Sequence, residues 1–358
     1  MSSTQAPQIT VLVPIYNVDR YLRECLDSIR AQTFADFEAI CINDGSTDAS
    51  RDIIQEYLDA DVRFRVIDKP NSGYGASMNM GLDAARGSYI AILESDDLYM
   101  PTALEVLHDA AVECDAQVVK GEFNLYWSEP EKRILSGELA KIPFRQLLVP
   151  SDVPEIFYAK SSIWSALYER KFLVDNAIRF LETPGASYQD TSFNFKVWLH
   201  ARHAVFIEDV ILDYRQDNEQ SSVNSAAKAH CVCDEYDEIE RWLEAHDAPD
   251  ALTGIMLRAK YNNYLWNYDR LVDDLRAEFL ERFSAEFRKD MEAGRVDLSR
   301  FEPWAEADLK ALVSSPETFR KCRDDVRSPG KLSTFKHYYR LGGLPLIVKV
   351  LKYKREQR

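Results

Sequence analysis

The sequence lacks long apolar runs, paired cysteines and an excess of positive charge, and each absence excludes a class of protein. No apolar run among its 358 residues reaches the ~18 residues that a helix needs to span a bilayer. The net charge of −15 argues against general binding to nucleic acid. The six cysteines show no paired zinc spacing, so reduced thiols in a cytoplasmic protein are the simplest interpretation.

Two common nucleotide-binding motifs are missing as well. The segment Asn71-Ser72-Gly73-Tyr74-Gly75 matches neither the P-loop nor the full dinucleotide fingerprint. No Gly-x-Gly-x-x-Gly follows the first predicted strand, which argues against a nicotinamide-dependent dehydrogenase. The polar N-terminus, residues 1–8, does not resemble a signal peptide.

What is present is a regular alternation of strand and helix patterns along the first 121 residues. Apolar runs predict strands over residues 8–15, 37–42, 62–67, 89–93 and 117–120. Apolar residues at helical spacing predict helices between them, over residues 21–29, 46–58, 75–85 and 102–114. Strands that alternate with single helices imply right-handed crossovers, so the predicted fold class is α/β with a mostly parallel sheet.

A polar or glycine-bearing segment follows each of the first four predicted strands. The segments are Pro14-Ile15-Tyr16-Asn17, Asn43-Asp44-Gly45-Ser46-Thr47-Asp48, Lys69-Pro70-Asn71-Ser72-Gly73-Tyr74-Gly75 and Leu93-Glu94-Ser95-Asp96-Asp97-Leu98. Ligands of open α/β sheets bind beyond the carboxyl ends of the strands. Because all four segments fall on that edge, the sequence predicts a binding site there.

The last of these segments carries three acidic groups, Glu94, Asp96 and Asp97. Carboxylates crowded at the end of a buried strand repel one another unless a cation lies among them. Such oxygen-rich clusters suit Mg²⁺ or Mn²⁺, which commonly hold phosphate groups. The alternative is an acidic loop that caps the next helix near Thr102.

Three further polar groups have a functional and a structural interpretation. Asp44 could accept the imide N–H of a uracil ring, or it could form a turn with a helix cap. Asp190 is a lone carboxylate before an aromatic helix, where an N-cap is the alternative. Arg215 and Ser221 could clamp a diphosphate, or they could belong to a surface loop.

The second half of the chain has weaker patterns. Two strands are predicted over residues 204–208 and 211–215, and helix is predicted from about 226 to 325. Aromatic residues within this helical region could stack on sugar rings or pack in a helical core. Residues 331–358 hold eight Lys or Arg against one Glu, mixed with apolar residues. That mixture is typical of peripheral membrane segments, although a packed C-terminal helix is the alternative.

Taken together, the motifs resemble glycosyltransferase family 2, the inverting nucleotide-sugar transferases with the GT-A fold. The order and spacing of the motifs over the first ~120 residues carry this resemblance. They are Val11-Leu12-Val13-Pro14-Ile15-Tyr16-Asn17, Asn43-Asp44-Gly45-Ser46-Thr47-Asp48, Asn71-Ser72-Gly73, Asn79-x-Gly81, Ala85-Arg86-Gly87 and Glu94-Ser95-Asp96-Asp97. Residues 161–223 resemble the family more loosely, through Trp164, Gln189-Asp190 and Arg215-x₅-Ser221.

The resemblance implies a role for each matching position. The nucleotide-binding residues would be Pro14, Tyr16 and Asp44 at the base, Asn71 near the nucleoside, Asp96 near the ribose and donor sugar, and Arg215 and Ser221 at the diphosphate. Asp97, with Asp96 and with Glu94 as a further candidate, would hold Mn²⁺ or Mg²⁺. Asp190 resembles the catalytic base. The implied reaction moves a sugar from a nucleoside diphosphate, usually UDP, to a hydroxyl of a glycan or lipid-linked acceptor.

The resemblance also implies an organisation of the chain. A GT-A catalytic domain would occupy residues 1–225, with a nucleotide-binding half (1–121) and an acceptor-side half (122–225). A helical region (226–330) and a basic amphipathic tail (331–358) would follow. The expected location is cytoplasmic, with the tail as a candidate contact to the inner face of the plasma membrane, and no nucleic-acid partner is expected.

Two positions depart from the family pattern. Glu94 stands where the family commonly has Asp, and Met78 stands where an Arg is common. One rival hypothesis is a nucleotidyltransferase, which shares the phosphate, the metal and the α/β sheet but would release pyrophosphate. Another is a non-catalytic glycan-binding or scaffold protein built on a decayed transferase fold.

Overall fold

A computed structural model describes residues 6–218, 229–326 and 330–356 of the chain. It divides into two compact units, Met1–Asn224 and Ser225–Arg358. All six cysteines are free thiols, as the scattered spacing predicts. Among the helices of the described ranges, none combines the length and apolarity needed to cross a membrane.

Within the described part of the first unit, nine strands form one sheet in the order β3-β2-β1-β4-β8-β6-β9-β5, with β7 paired to β6. The strands are β1 (Ile9–Ile15), β2 (Phe37–Asn43), β3 (Phe64–Asp68), β4 (Tyr89–Ile92), β5 (Leu98–Tyr99), β6 (Val118–Ser128), β7 (Glu131–Leu135), β8 (Ala166–Glu169) and β9 (Ala204–Arg215). β1 and β2 are buried along their whole length, as expected for strands covered on both faces.

The sheet changes character at β4. β3, β2, β1 and β4 run parallel to one another, so their carboxyl ends meet at one edge. β8 is antiparallel to both β4 and β6, whereas β6 is parallel to β9. The predicted GT-A type α/β architecture is confirmed, with a mixed sheet beyond β4.

Helices flank the sheet in the first unit. They are α1 (Asp19–Arg30), α2 (Ser50–Ala60), α3 (Tyr74–Ala84), α4 (Ala103–Cys114), α5 (Glu155–Tyr158), α6 (Arg170–Asp175) and α7 (Gln189–His200). The apolar residues of α1 that recur at helical spacing, Leu22, Cys25, Leu26 and Ile29, are fully buried.

The described part of the second unit is helical. Its helices are α8 (Cys231–Ala245), α9 (Asp250–Arg270), α10 (Asp273–Glu292), α11 (Pro303–Ser314), α12 (Pro316–Val326) and α13 (Lys331–Glu356). Tyr261, Tyr264 and Tyr268 of α9 are buried, and Tyr264 packs against Phe279 and Phe283 of α10. These tyrosines therefore serve the helical core, whereas Trp266 of the same helix is exposed.

The sequence patterns were wrong about two strand boundaries. The strands predicted over 204–208 and 211–215 form one continuous strand, β9, and the strand predicted over 117–120 continues to Ser128 as β6. The polar pair Glu208-Asp209 interrupts the apolar run. The pairing of β6 with β9 shifts register between Gly121 and Phe123, and this bulge lets both strands continue past the polar pair.

A buried carboxylate, Glu38, links the amino ends of the central strands. Its oxygens accept hydrogen bonds from the Thr10 hydroxyl (2.9 Å), from the Arg86 N–H and Nε (2.9 and 2.8 Å) and from the Arg65 guanidinium (2.7 Å). Burial raises the pKa of Glu38, but Arg86 and Arg65 outweigh it and hold the pKa below its ordinary value. This network lies at the end of the sheet opposite the polar loops.

We expect Glu38→Gln to lower the free energy of unfolding at neutral pH by about 1–3 kcal/mol, because charge-assisted hydrogen bonds are lost in a buried place. The folded-state pKa is depressed, so the stabilisation is present above the unfolded pKa of about 4.3 and disappears as the pH falls through the folded value. Urea unfolding across acid and neutral pH measures this difference. Glu113→Gln, at an exposed position on α4, is the control. A loss that did not depend on pH would contradict the electrostatic interpretation.

Candidate functional site

The loops after β1 and β2 are joined to each other at the carboxyl edge of the sheet. The Asp44 N–H donates to the carbonyl of Ile15 (2.9 Å). Asn17 accepts from the Thr47 N–H (2.7 Å), and its own N–H donates to the Ser46 hydroxyl (3.2 Å). These hydrogen bonds join the two loops into one surface next to the end of β1.

Asp44 organises the loop that follows β3. Its carboxylate pairs with the Lys69 ammonium and accepts from the N–H groups of Ser72 (2.8 Å) and Gly73 (3.0 Å). Gly73 has φ of 93°, a conformation that favours glycine. Asp44 is thus a buried anchor as well as a candidate base contact.

The other residues predicted for the base and nucleoside lie around this anchor. Tyr16 lies just past the end of β1 and is 52% exposed. Pro14 is within β1, opposite Ile42 of β2, and Asn71 is exposed on the loop that Asp44 holds. The structure therefore brings these predicted residues to the loops at the ends of β1, β2 and β3.

The first turns of α3 contact the segment that leads into α7. The Tyr74 N–H donates to the carbonyl of Gly185 (2.8 Å), and Asn79 exchanges two hydrogen bonds with the backbone of Phe180 (3.0 Å each). A Cβ at Gly75 would lie 2.1 Å from the carbonyl oxygen of Leu181. This close contact ties α3 to the segment that precedes Asp190.

The acidic loop between β4 and β5 has a distinct partner for each side chain. Glu94 accepts a hydrogen bond from the Tyr74 hydroxyl (2.7 Å), and Asp96 accepts one from the Asn218 amide (2.7 Å). Burial, together with the neighbouring Asp96 and Asp190, raises the pKa of Glu94 to about 8, although the hydrogen bond from Tyr74 opposes the rise. A pKa above 7 favours the protonated form of Glu94 at neutral pH.

Asp97 is fully buried and joins the acidic loop to β9. Its Oδ1 accepts the N–H of Arg215 (2.8 Å), while its Oδ2 has no hydrogen-bond partner among the described residues. Burial, with the nearby Asp96, raises the pKa of Asp97 well above its ordinary value. A buried carboxylate oxygen without a partner is unusual and fits a place where a cation can bind.

Asp96 and Asp97 supply the hard oxygen ligands that Mg²⁺ and Mn²⁺ prefer. Within residues 6–218, 229–326 and 330–356, no three His, Cys, Asp or Glu side chains converge as a ready-made metal cage. Mg²⁺ is commonly held by one or two carboxylates together with waters and substrate phosphates. The residues present fit that kind of site, which a phosphate-bearing ligand would complete.

Arg215 is nearly buried beneath the acidic loop. Its side chain is 1% exposed, and its guanidinium donates to the carbonyl of Asp96 (2.8 Å) and to Glu24 (2.6 Å). It also lies over the rings of Tyr21 and Tyr126. Through its contact with the carbonyl of Asp96, Arg215 holds the acidic loop in position.

Two positions of interest remain, Ser221 and Met78. Ser221, predicted at the diphosphate, lies outside the described residues, so the structure does not describe its position. Met78 is fully buried in α3 and packs in the core. A cationic contact at that position is therefore absent.

Asp190 lies in the first turn of α7 and is half-buried. The N-cap residue of this helix is Tyr188, so Asp190 does not occupy the N-cap position. Burial raises the pKa of Asp190 to about 6, although Lys160 and hydrogen bonds from Thr191 oppose the rise. A carboxylate with a pKa near 6 is ionised at neutral pH and is a stronger base than an ordinary aspartate.

Lys160 is a functional candidate that the sequence patterns did not reveal. Its ammonium lies 3.9 Å from the centroid of the Tyr214 ring and 5.7 Å from those of Trp164 and Phe123. Loss of solvation against these rings lowers the pKa of Lys160, while Asp190, Glu138 and Asp97 oppose that fall. Lys160 is thus a cation close to both the acidic loop and Asp190.

Tyr214 lies at the centre of the same cluster. Its ring stacks on Trp164 at 4.7 Å, and its pKa is raised by burial and by Asp97, Asp96, Asp190 and Glu94. The four carboxylates are therefore close to one phenol group. No local sequence pattern could have revealed the cluster, because its members come from β6, β9 and the connections around 160–165.

Comparison with known proteins identifies the family. The sequence pattern that defines glycosyl transferase family 2 matches residues 10–159. GlyG of Streptococcus pneumoniae is 32% identical over 217 residues, which are 58% of this chain and 70% of GlyG. The chain belongs to glycosyl transferase family 2. This family membership favours glycosyl transfer over the rival nucleotidyl transfer.

Two further comparisons concern extent and fold. EpsH of Bacillus subtilis is 33% identical over 223 residues, which are 59% of this chain and 61% of EpsH. The chain thus spans about three fifths of that relative. S. aureus TarS 1–349, solved in complex with UDP-GlcNAc, has a TM-score of 0.69 at 18% identity, covering 89% of this chain and 90% of that chain. At this identity the likeness to TarS shows a shared fold.

We expect Lys160→Met to raise the pKa of Asp190 above its value of about 6, because a nearby cation that favours the carboxylate is removed. Lys160→Arg retains the charge and should leave the pKa close to 6. Carboxyl ¹³C NMR titration of Asp190 measures these values. Lys132→Met, which removes a cation lying over Trp127, is the control and should change nothing. Equal titration of Asp190 in the Lys160→Met variant and the wild-type protein would exclude an electrostatic role for Lys160.

Proposed function

We propose that this protein is an inverting glycosyltransferase that moves a sugar from a nucleoside diphosphate to a hydroxyl of a glycan or lipid-linked acceptor. The observation that carries the proposal is the position of Asp190. Its carboxylate, with a pKa of about 6, lies in one cluster with the acidic loop of Asp96 and Asp97. A base and a phosphate-binding acidic loop are the two components that such a transfer needs.

The donor is proposed to be linked to UDP. Pro14, Tyr16 and Asp44 would hold the base, Asn71 would contact the nucleoside, and Asp96 would lie near the ribose. The exposed ring of Tyr16 can stack on a base, and the loop held by Asp44 lies beside it along the same edge of the sheet. The similarity in fold to TarS, which was solved with UDP-GlcNAc, supports a uridine nucleotide.

In the proposed reaction Asp190 takes the proton of the acceptor hydroxyl as that oxygen attacks the anomeric carbon. The new bond forms between the acceptor oxygen and the anomeric carbon. The bond from that carbon to the diphosphate oxygen breaks, and its electron pair leaves with the nucleoside diphosphate. Because attack and departure occur on opposite faces of the sugar, the anomeric configuration inverts.

Asp97 and Asp96 would hold Mn²⁺ or Mg²⁺, with Glu94 as a further candidate ligand once its proton is displaced. Such a metal would supply positive charge to the leaving diphosphate. Ser221 is proposed to contact the diphosphate as well. Arg215 would act mainly by positioning the acidic loop, since its guanidinium already pairs with Glu24. An Arg is common in the family at the position of Met78, which is buried here. Lys160 would provide the positive charge that this position lacks.

The proposed place of action is the cytoplasmic face of a membrane, where lipid-linked acceptors are available. The part of the chain that would make this contact is residues 331–358, which include the last helix, α13.

We expect Asp190→Asn to lower the transfer rate by ~10²–10⁴-fold while leaving UDP affinity nearly unchanged, because the general base is lost and the nucleotide contacts remain. In the wild-type protein the rate should rise with pH through about 6, since the base acts only when deprotonated. Release of UDP from UDP-sugars, followed across pH, measures the loss of rate and the pH dependence of the rate. Asp109→Asn, exposed on α4, is the control. Full turnover by the Asp190→Asn variant would remove Asp190 from this role.

We expect Asp97→Asn and Asp96→Asn each to weaken UDP binding in the presence of Mn²⁺ by at least ~10-fold, because a metal ligand is lost. With the metal chelated, both variants should bind UDP as the wild-type protein does. Isothermal titration calorimetry measures the affinities, and thermal unfolding checks that the variants are folded. Asp209→Asn, at a partly exposed position on β9, is the control. Unchanged affinity in Mn²⁺ would show that the metal binds elsewhere or is not used.

A further inference from the structure

The C-terminal helix α13 packs one of its faces onto α11 and α12. His337 is buried, and its ring nitrogens lie 2.8 Å from the carbonyl of Cys322 and 3.2 Å from Asp308. Leu346 and Val350 are also buried on this face. These contacts hold α13 on the second unit along both of its halves, on either side of the break at Gly343.

The opposite face of α13 carries large apolar side chains that remain exposed. We call this set the outer stripe; its exposed fractions range from 49% to 81%, and its members are Leu332, Phe335, Tyr339, Leu344, Val348 and Leu351. Their spacing of three and four residues before Gly343, and of four and three residues after it, keeps them on one side of each half of the helix. In each half that side lies about half a turn from the buried residues, which are His337 before the break and Leu346 and Val350 after it.

The outer stripe is a concentration of apolar surface, not scattered exposure. Of the sixteen large apolar side chains exposed in the described residues, six lie on this one helix of 26 residues. Single exposed apolar residues need no explanation, but a contiguous row marks a surface that contacts something apolar.

The charges of α13 indicate what that partner is. Lys336 and Arg340 pair with Asp325, and Lys349 pairs with Glu306, so these cations neutralise the second unit's own carboxylates. Lys352 and Arg355 lie beyond them at the end of the helix and are exposed; Lys352 is 77% exposed and lies 3.9 Å from Glu356 of the same helix. Arg355 follows Leu351 by four residues and therefore continues the outer stripe as a basic end.

We propose that the outer stripe and its basic end bind the surface of an anionic lipid bilayer, with α13 lying in the plane of the interface. Exposed apolar residues would enter the boundary between headgroups and acyl chains, and Lys352 and Arg355 would meet anionic headgroups. Residues 331–358 hold eight Lys or Arg and one Glu, so the net negative charge of the chain lies outside the segment.

The test is co-sedimentation of the full-length protein with vesicles of phosphatidylcholine, with and without phosphatidylglycerol. The stripe variant combines Leu344→Glu, Val348→Glu and Leu351→Glu. The matched control combines Val62→Glu, Val112→Glu and Val174→Glu, which are 98%, 60% and 65% exposed in the first unit and add the same charge. A second variant, Lys352→Gln with Arg355→Gln, tests the basic end.

We expect the wild-type protein and the control to bind vesicles that contain phosphatidylglycerol, and the stripe variant to bind at least ~10-fold less. The Lys352→Gln, Arg355→Gln variant should lose the preference for phosphatidylglycerol, and added salt should weaken wild-type binding. A wild-type protein that stays in the supernatant, or a stripe variant that binds as well as the control, would overturn the proposal. So would a wild-type dimer that the stripe variant dissociates without any vesicle binding.

The surface proposal and the transferase proposal can fail independently. UDP titration of the stripe variant should give the wild-type affinity, because the substituted residues belong to the second unit. Lost vesicle binding with retained UDP binding would support the surface without bearing on the transfer chemistry. Loss of both would show that the substitutions disturbed the fold, and thermal unfolding would detect this directly.

Discussion

The buried carboxylate of Asp97 fixes the acidic loop to β9, and the geometry of the site depends on that link. Asp97 accepts the N–H of Arg215, while the Arg215 side chain returns to the carbonyl of Asp96. The same residues continue into β5, which pairs with β9. Backbone, side chain and sheet therefore define one position for the loop, while Asp97 Oδ2 has no hydrogen-bond partner in the part of the chain that the structure describes.

Because of this link, several acidic side chains lie close together. Burial and mutual repulsion raise the pKa values of Glu94 and Asp97, and burial does the same for Asp190. Positive charge is supplied by Lys160, whose ammonium group lies over the ring of Tyr214. At the other end of the sheet, by contrast, the carboxylate of Glu38 is matched by the cations of Arg65 and Arg86.

The sequence was sufficient to place the polar loops at one edge of the sheet and insufficient to reveal the cluster around Tyr214. Asp44 follows β2 directly, and Asp96 and Asp97 lie in the short loop after β4, so strand periodicity alone placed them at one edge. Lys160 and Tyr214 could not be found in that way, because only the pairing of β6 with β9 and β8 brings their segments together. The continuation of β9 past Glu208 was missed because the polar pair Glu208-Asp209 interrupts the apolar run, and it lies where β9 bulges against β6.

The contact between Gly75 and Leu181 has a consequence for building chimeric proteins on this scaffold. There is no room for even one methyl group between the two segments, and Asn79 holds Phe180 by two hydrogen bonds. The first turns of α3 and residues 180–185 are therefore complementary in shape. A chimera that places any residue larger than glycine at position 75 against this segment would contain a steric clash, whereas moving both segments together would preserve the match.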